Sequence, residues 1–120
     1  MASLLLSFDT SDDNCELMYN NATYGVLHSK KAFDARNYDD QRYFAKKALE
    51  AYNRVLENLD NCGCGILIEK VEDTIGNLEN AIDPYDWDKG RYYSKKVYLS
   101  SLDLVTELDE LNAAAIEIEE

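Results

Sequence analysis

The chain has 120 residues, of which 46% are hydrophobic and 30% are charged, and this balance is typical of one folded domain. Its net charge of −12 argues against nucleic acid as a partner, because phosphate backbones are bound through Lys and Arg, and it favours a basic partner protein. One Pro and five Gly argue against a β-fold with many turns and permit long helices.

A capping pattern predicts the start of the first helix, with Asp13 as the N-cap and Glu16 three residues later. Small and apolar residues then recur at helical spacing and predict one buried stripe: Cys15, Met18, Ala22, Gly25 or Val26, Ser29 and Phe33. The segment DARNYDD (34–40) ends this helix, and Asp39 or Asp40 is the expected cap of the next helix.

The second helix also carries one apolar stripe: Ala45, Ala48, Leu49, Tyr52, Val55, Leu56 and Leu59. The segment NCGCG (61–65) ends it, because two glycines within three residues stop a helix and permit a tight turn.

The third helix is expected to bury Cys64, Leu67, Ile68, Val71, Ile75, Leu78 and Ile82. In DPYDWD (83–88), Pro84 breaks this helix, and Asp86 or Asp88 caps the fourth. The stripe of the fourth helix is Val97, Ser101, Leu104, Val105, Leu108 and Leu111. The last segment, LNAAAIEIEE (111–120), is expected to stay helical for one turn and then to fray.

The sequence contains an internal repeat with a period of 49 residues. RYFAKK (42–47) returns as RYYSKK (91–96), and ten positions are identical when 15–60 is compared with 64–109. We therefore predict one all-α domain, 1–120, made of two duplicated helical hairpins at about 13–61 and 62–112. Two such hairpins bury their stripes best as an up-down-up-down four-helix bundle, and a two-repeat solenoid is the alternative.

The bundle is expected to be electrically bipolar. Ten of the twelve basic residues lie at 30–47 or 89–96, at one end. The other end collects carboxylates with no nearby base: Asp12, Asp13, Glu16, Glu57, Asp60, Glu107, Asp109 and Glu110.

The repeated phrase lies on a solvent-facing side of its helix and predicts a protein-binding surface in each unit. The expected binding residues are Tyr43, Lys46, Lys47, Trp87, Tyr92, Lys95 and Lys96. The alternative is that the Tyr rings only cover Lys methylenes and nothing binds. The sequence thus favours a non-enzymatic adaptor or inhibitor that has a protein partner, no cofactor and no membrane contact, as a monomer or homodimer.

Three cysteines are expected to meet at the acidic end, because Cys15 opens the first helix and Cys62 and Cys64 flank the turn after the second. Small buried thiols are the favoured interpretation. A zinc site of Cys15, Cys62 and Cys64 with Asp60 or Asp109, or a disulfide, are the alternatives. The odd number of cysteines and the short apolar run Leu4-Leu5-Leu6, which is too short for a signal peptide, predict a cytoplasmic location.

The segment LHSKKAF (27–33) contains the one histidine, His28, with Lys31 three residues later and a small residue, Ala32, after it. It resembles the site of histidine phosphotransfer domains, which are four-helix bundles of this size, although that family usually has Gly in place of Ala32. The resemblance implies that His28 accepts a phosphoryl group and that Lys31 screens it. The equivalent residue of the second unit is Asn77, which cannot perform this chemistry.

Overall fold

Four α-helices make up the fold. The computed structural model describes the backbone of residues 2–119 and the side chains of residues 15–111. Helix α1 spans Ala2–Asp34, α2 spans Tyr38–Asn58, α3 spans Ile68–Ile82 and α4 spans Trp87–Glu119. A 3-10 turn, Gly65–Leu67, precedes α3, and the described backbone contains no strand, so the predicted all-α fold is confirmed.

The four helices pack as a ring around one axis. α1 and α3 each contact both α2 and α4, whereas α2 and α4 lie diagonally and meet at few positions. This confirms the predicted up-down-up-down bundle. The Tyr38 hydroxyl donates to the Ile82 carbonyl at 3.1 Å, so the α1–α2 and α3–α4 loops share one end, called the loop end. The opposite end, where Cys15 meets Cys62, is called the cysteine end.

Over the described residues, none of the helices is both long and apolar enough to cross a membrane.

Helices α2 and α4 begin at equivalent capping residues, 49 positions apart. The Asn37 side chain accepts a hydrogen bond from the Asp40 backbone at 2.8 Å, and Asp86 accepts one from the Lys89 backbone at 2.8 Å. The predicted cap Asp86 is therefore confirmed. Asp39 and Asp40 as caps of α2 are wrong, because Asn37 already caps the first amides; both carboxylates lie in the first turn, where they stabilise the helix dipole.

Two helix starts also differ from the prediction. α1 begins at Ala2 rather than at Asp13, because residues 2–12 contain no Gly or Pro that would stop a helix from continuing through the capping pattern. α3 begins at Ile68, since the chain first reverses at Gly63, with a φ of +74°, and then forms the 3-10 turn. At the other end of the chain, α4 continues to Glu119, beyond the single extra turn expected.

Each helix contributes most of its predicted stripe to a single core, but the predicted residue Phe33 is half-buried outside it. The large side chains with no more than 1% exposure come from all four helices: Met18, Tyr52, Val55, Leu59, Val71, Leu78, Val97, Leu104 and Leu108. Several predicted residues pack only partly buried at its edge: Leu49, Leu56, Ile68, Ile75, Ile82, Val105 and Leu111. The helical spacing did not single out Gln41, Ala51, Thr74 and Ala81, which are buried as well.

Tyr52 and Ser101 occupy positions 49 residues apart, and their side chains, one large and one small, contact each other inside the bundle. The Tyr52 hydroxyl donates to Ser101 Oγ at 2.5 Å, and Ser101 donates to Ser29 Oγ at 3.3 Å. Burial raises the pKa of Tyr52 to about 12. Gly25 leaves room for the ring, since a Cβ at Gly25 would lie 2.5 Å from Tyr52 Cζ.

The same large-and-small pairing occurs toward the loop end, where Gln41 faces Gly90. Gln41 Nε2 donates to the Ala81 carbonyl at 3.4 Å and occupies the space that a Cβ at Gly90 would need. Arg91 Nη1 donates to Gln41 Oε1 and to the Ala32 carbonyl, each at 3.0 Å. The carbonyls of Ala32 and Ala81, which are also equivalent positions, thus gain side-chain partners at the ends of α1 and α3.

Candidate functional site

The first copy of the repeated phrase forms an aromatic and basic surface on α2. The rings of Tyr43 and Phe44 meet edge to face with centroids 5.1 Å apart, and Lys47 Nζ lies 5.6 Å from the Tyr43 centroid. Tyr43 is 56% exposed, and the predicted residue Lys46 is exposed beside it. Tyr43 and Lys46 are therefore exposed, as the helical wheel predicts, whereas Lys47 is half-buried.

The second copy reproduces this geometry on α4. Tyr92 and Tyr93 meet edge to face at 5.1 Å, and Lys96 Nζ lies 5.9 Å from the Tyr92 centroid. Tyr92 is 56% exposed, and Lys95 is exposed. Because α2 and α4 lie diagonally, the two predicted surfaces remain separate and do not form one site.

Trp87 packs against Arg91, which the sequence analysis did not mark as a site residue. The guanidinium of Arg91 lies 5.2 Å from the Trp87 ring and 5.4 Å from the Phe33 ring, and burial lowers its pKa. Arg42, at the same position of the first phrase, is exposed. Arg91 is thus a structural residue of the loop end, and Trp87 serves partly to cover it.

On the α1–α2 side, aromatic rings continue from one helix to the next. His28 stacks between Tyr24 and Phe44, with ring centroids 6.4 and 6.3 Å apart and interplanar angles of 20° and 16°. Lys31 Nζ lies 5.5 Å from the Phe44 centroid. The name α1–α2 surface is used for this set: Tyr24, His28, Lys31, Tyr43, Phe44 and Lys47.

His28 is half-buried within this surface. Its Nδ1 is buried and has no hydrogen-bond partner among the described residues. Burial lowers the pKa of His28 below 6.5, and the charges of Lys31 and Lys47 lower it further, whereas Glu50 acts in the opposite direction. Burial and the two lysines therefore favour the neutral form of the imidazole.

A groove of about 300 Å³ runs between α1 and α2 beside His28. It is lined by Asn21, Tyr24, His28, Lys47, Glu50, Ala51 and Arg54, and it is called the α1–α2 groove. Its lining thus combines two aromatic rings with two cations and one carboxylate. The helical wheel had placed Arg54 on this face but had not marked it as a site residue.

An equivalent groove of about 460 Å³, the α3–α4 groove, lies between α3 and α4. Five lining positions of one groove are 49 residues from lining positions of the other: Asn21/Lys70, Tyr24/Asp73, His28/Asn77, Lys47/Lys96 and Ala51/Ser100. The α3–α4 groove has no imidazole, and two carboxylates, Glu69 and Asp73, line it. The two grooves therefore share position but differ in chemistry.

The three cysteines lie close together at one end, as predicted, but two of them form a disulfide. Cys15 and Cys62 are bonded, with Cα atoms 5.3 Å apart, because antiparallel packing brings α1 alongside the turn that follows α2. The prediction of free thiols is thus wrong for Cys15 and Cys62. Cys64 is a buried free thiol, and burial raises its pKa. The bond removes two ligands from the alternative zinc site, and no three candidate ligands converge among the described side chains.

The cysteine end also carries a base. Lys70 forms ion pairs with Asp103 and Glu107, so the expectation that the acidic end has no nearby base is wrong. Lys70 lies on α3 and its two carboxylate partners lie on α4. The sequence pattern alone does not show such a contact between helices. The side chains of Asp12 and Asp13 lie outside the described residues.

Comparisons of the chain with protein-family models, with curated proteins and with solved structures found no match. The chemistry of the α1–α2 surface and groove is therefore the basis for inferring a function.

Proposed function

We propose that the protein is a non-enzymatic adaptor or inhibitor that binds a partner protein through the α1–α2 surface. The supporting observation is the run of adjoining rings from Tyr24 through His28 and Phe44 to Tyr43. Both ends of this run, Tyr24 and Tyr43, are 56% exposed. Tyr rings that already pack against neighbouring rings lose less freedom on binding than isolated side chains do, and Tyr is enriched among interface anchors.

The charge around these rings indicates what a partner would present. Lys31 and Lys47 lie over the rings of Phe44 and Tyr43, where they remain able to attract carboxylates. The net charge of −12 favours a partner that is basic overall. We therefore expect a basic protein that places a local acidic segment on the α1–α2 surface.

The second copy of the phrase is the weaker candidate for contact. Tyr92 and Lys96 repeat the geometry on α4, but Asp73 and Asn77 occupy the positions of Tyr24 and His28 on the adjoining helix. The rings therefore do not continue onto α3. A bivalent partner would use Tyr92, Lys95 and Lys96 as its second contact.

Replacing Tyr43 tests the proposal against a matched control. Tyr43→Ala is expected to weaken partner binding at least tenfold, since a central Tyr anchor contributes about 2 kcal/mol or more. Tyr92→Ala removes the same side chain, with the same exposure, from the equivalent position and is expected to change affinity little. Affinity capture with each variant as bait, quantified by mass spectrometry, would identify the partner and measure both effects.

Two outcomes of this comparison would contradict the proposal or change it. Equal recovery with wild type and Tyr43→Ala would count against the α1–α2 surface. Equal losses for the two single variants, with a larger loss for the double variant, would show bivalent binding instead. Thermal unfolding of each variant should match the wild type, because both rings are mostly exposed.

The oligomeric state and the cellular compartment of the protein are proposed from the sequence. The sequence favours a monomer or homodimer in the cytoplasm. Disulfides persist mainly in oxidising compartments, so the Cys15–Cys62 bond weighs against the cytoplasm.

Phosphotransfer through His28 is the second candidate, and the supporting observation is a half-buried imidazole near Lys31 and Lys47, whose charges and whose burial lower its pKa and favour the neutral form. Neutral imidazole is the nucleophilic form. Because Nδ1 is buried, Nε2 would attack phosphorus, the bond from phosphorus to the donor's leaving group would break, and the lysines would screen the transferred phosphoryl group.

Incubation with phosphoramidate tests this candidate. The expected product carries one added phosphoryl group, formed as the phosphorus–nitrogen bond of the donor breaks and ammonia leaves. The modification should be labile in acid and absent from His28→Gln. Intact mass spectrometry checks both points, and an unmodified wild-type protein, or equal modification of His28→Gln, would exclude this function.

A further inference from the structure

The α1–α2 groove gathers unpaired positive charge in a protein with 24 acidic and 12 basic residues. Lys47 and Arg54 line the groove, and Lys31 lies beside His28. None of these three cations forms an ion pair among the described side chains. Glu50 stands at i+3 from Lys47 and at i−4 from Arg54, spacings that permit pairing on a helix, yet it pairs with neither.

The shape of the groove suits a small organic anion. Ala51, only 3% exposed, forms part of its floor, and the Tyr24 and His28 rings stand at its wall. A volume of about 300 Å³ accommodates one charged group together with a ring-sized organic part. Charge and an aromatic wall thus occur in one cavity.

The α3–α4 groove lacks this combination of unpaired cations and an aromatic wall, although it lies at the equivalent position. Asp73 stands in place of Tyr24, Asn77 in place of His28 and Asp103 in place of Arg54. Lys70, which lines the α3–α4 groove, is already held by two carboxylates. Among the described side chains, the α3–α4 groove therefore has one unpaired cation, Lys96, beside two carboxylates, whereas the α1–α2 groove has two unpaired cations beside one carboxylate.

We propose that the α1–α2 groove binds a phosphomonoester dianion, with Lys47 and Arg54 as donors to its phosphoryl oxygens and Tyr24 against its organic part. The planar guanidinium and the ammonium are the side-chain groups that best match phosphoryl oxygens. Two lining cations and the adjacent Lys31 exceed the single charge of Glu50, so a dianion neutralises the groove more fully than a monoanion does. The site takes a ligand reversibly and requires no covalent step.

Ligand binding is coupled to the protonation of His28. The groups that face its ring come from both packed helices: Tyr24 and Lys31 from α1, and Phe44, Lys47 and Glu50 from α2. A dianion in the groove favours the imidazolium form, so binding raises the pKa of His28. By linkage, affinity for the dianion increases as the pH falls and His28 takes up its proton, as long as the ligand stays dianionic.

His28 provides a direct readout because it is the only histidine of the chain. Its ring resonances are followed by NMR while phenyl phosphate is added at pH 7 and constant ionic strength. The expected result is a saturating shift with a raised His28 pKa. Phenyl sulfate, a monoanion of nearly the same shape, is expected to bind about tenfold or more weakly, since it has one negative charge fewer to attract the cations of the groove.

A matched pair of variants locates the site. Lys47→Gln is expected to weaken phenyl phosphate binding about tenfold, whereas Lys96→Gln, the same change at the equivalent position of the α3–α4 groove, leaves it unchanged. A shift that does not saturate, equal binding of phenyl sulfate, or equal losses in both variants would each overturn the proposal. Backbone amide spectra show whether each variant is folded.

A second arm distinguishes two sources of the phosphoryl group. A short peptide with one phosphotyrosine is titrated in the same way as phenyl phosphate. Tighter binding of the peptide supports the site with a phosphorylated partner protein as the source, whereas equal affinity supports it with a free phosphomonoester. If neither probe saturates the His28 signal, the groove is not such a site, and partner binding through Tyr43 is unaffected by that result.

Discussion

Reducing the Cys15–Cys62 disulfide is expected to lower the free energy of unfolding by about 4 kcal/mol. The bond joins residues 47 positions apart, and in the chain-entropy model opening a loop of that length restores about this much freedom to the unfolded chain. Denaturant unfolding of the oxidised protein, with and without a thiol reductant, measures the difference as a shift of the midpoint.

Single variants supply the control for this prediction. Cys15→Ser and Cys62→Ser each break the same bond, so each is expected to lose nearly as much stability as the double variant. Added reductant should then have no effect on either of them. If the wild-type midpoint does not move with reductant, the disulfide does not stabilise the fold in solution.

Tyr52→Ala is expected to cost about 3–5 kcal/mol of unfolding free energy, as is usual when a fully buried aromatic side chain is truncated. Tyr52 has no exposed surface, and its hydroxyl donates to Ser101, which in turn donates to Ser29. Ser101→Ala, at the equivalent position, keeps the ring and loses only the hydrogen bonds, so about 1 kcal/mol is expected. Denaturant midpoints measured by circular dichroism compare the two variants.

Substitution of Gly25 tests the packing of the Tyr52 ring against α1. Gly25→Ala alone is expected to destabilise by about 1–3 kcal/mol, because the new methyl group meets the Tyr52 ring. In a Tyr52→Ala background the same change should be neutral or should stabilise by up to ~1 kcal/mol, since Ala is the better helix former. An equal cost in both backgrounds would contradict the packing described here.

Hydrophobic periodicity was sufficient to predict the fold. Stripes such as Val97, Ser101, Leu104 and Leu108 recur at helical spacing, and two short loops leave few ways to join four helices. The α1 boundary was predicted wrongly because a capping pattern permits a helix start without requiring one. Asn37 was overlooked because several nearby Asp residues satisfy the same preference for an N-cap.

The candidate site was only partly predictable. The exposure of Tyr43 and Tyr92 follows from the helical wheel, and His28 stood out as the single histidine. The stacking of Tyr24, His28 and Phe44 depends on how α1 and α2 are rotated against each other, and side-chain packing across the bundle sets that rotation. For the same reason, two similar phrases that both begin with Arg-Tyr contain an exposed Arg42 and a half-buried Arg91, since only Arg91 donates to Gln41 and to the Ala32 carbonyl.

In two places along the bundle, a large side chain of the first hairpin faces a small residue of the second: Tyr52 faces Ser101, and Gln41 faces Gly90. Neither hairpin could therefore be replaced by a copy of the other. Two copies of the first hairpin would bring two Tyr52 rings and two Gln41 amides to places that hold one of each. Two copies of the second would leave Ser101 facing Ser101 and Gly90 facing Gly90 across empty space. Each hairpin therefore supplies the space that a large side chain of the other hairpin fills, so a change of side-chain size in one hairpin calls for the opposite change in the other.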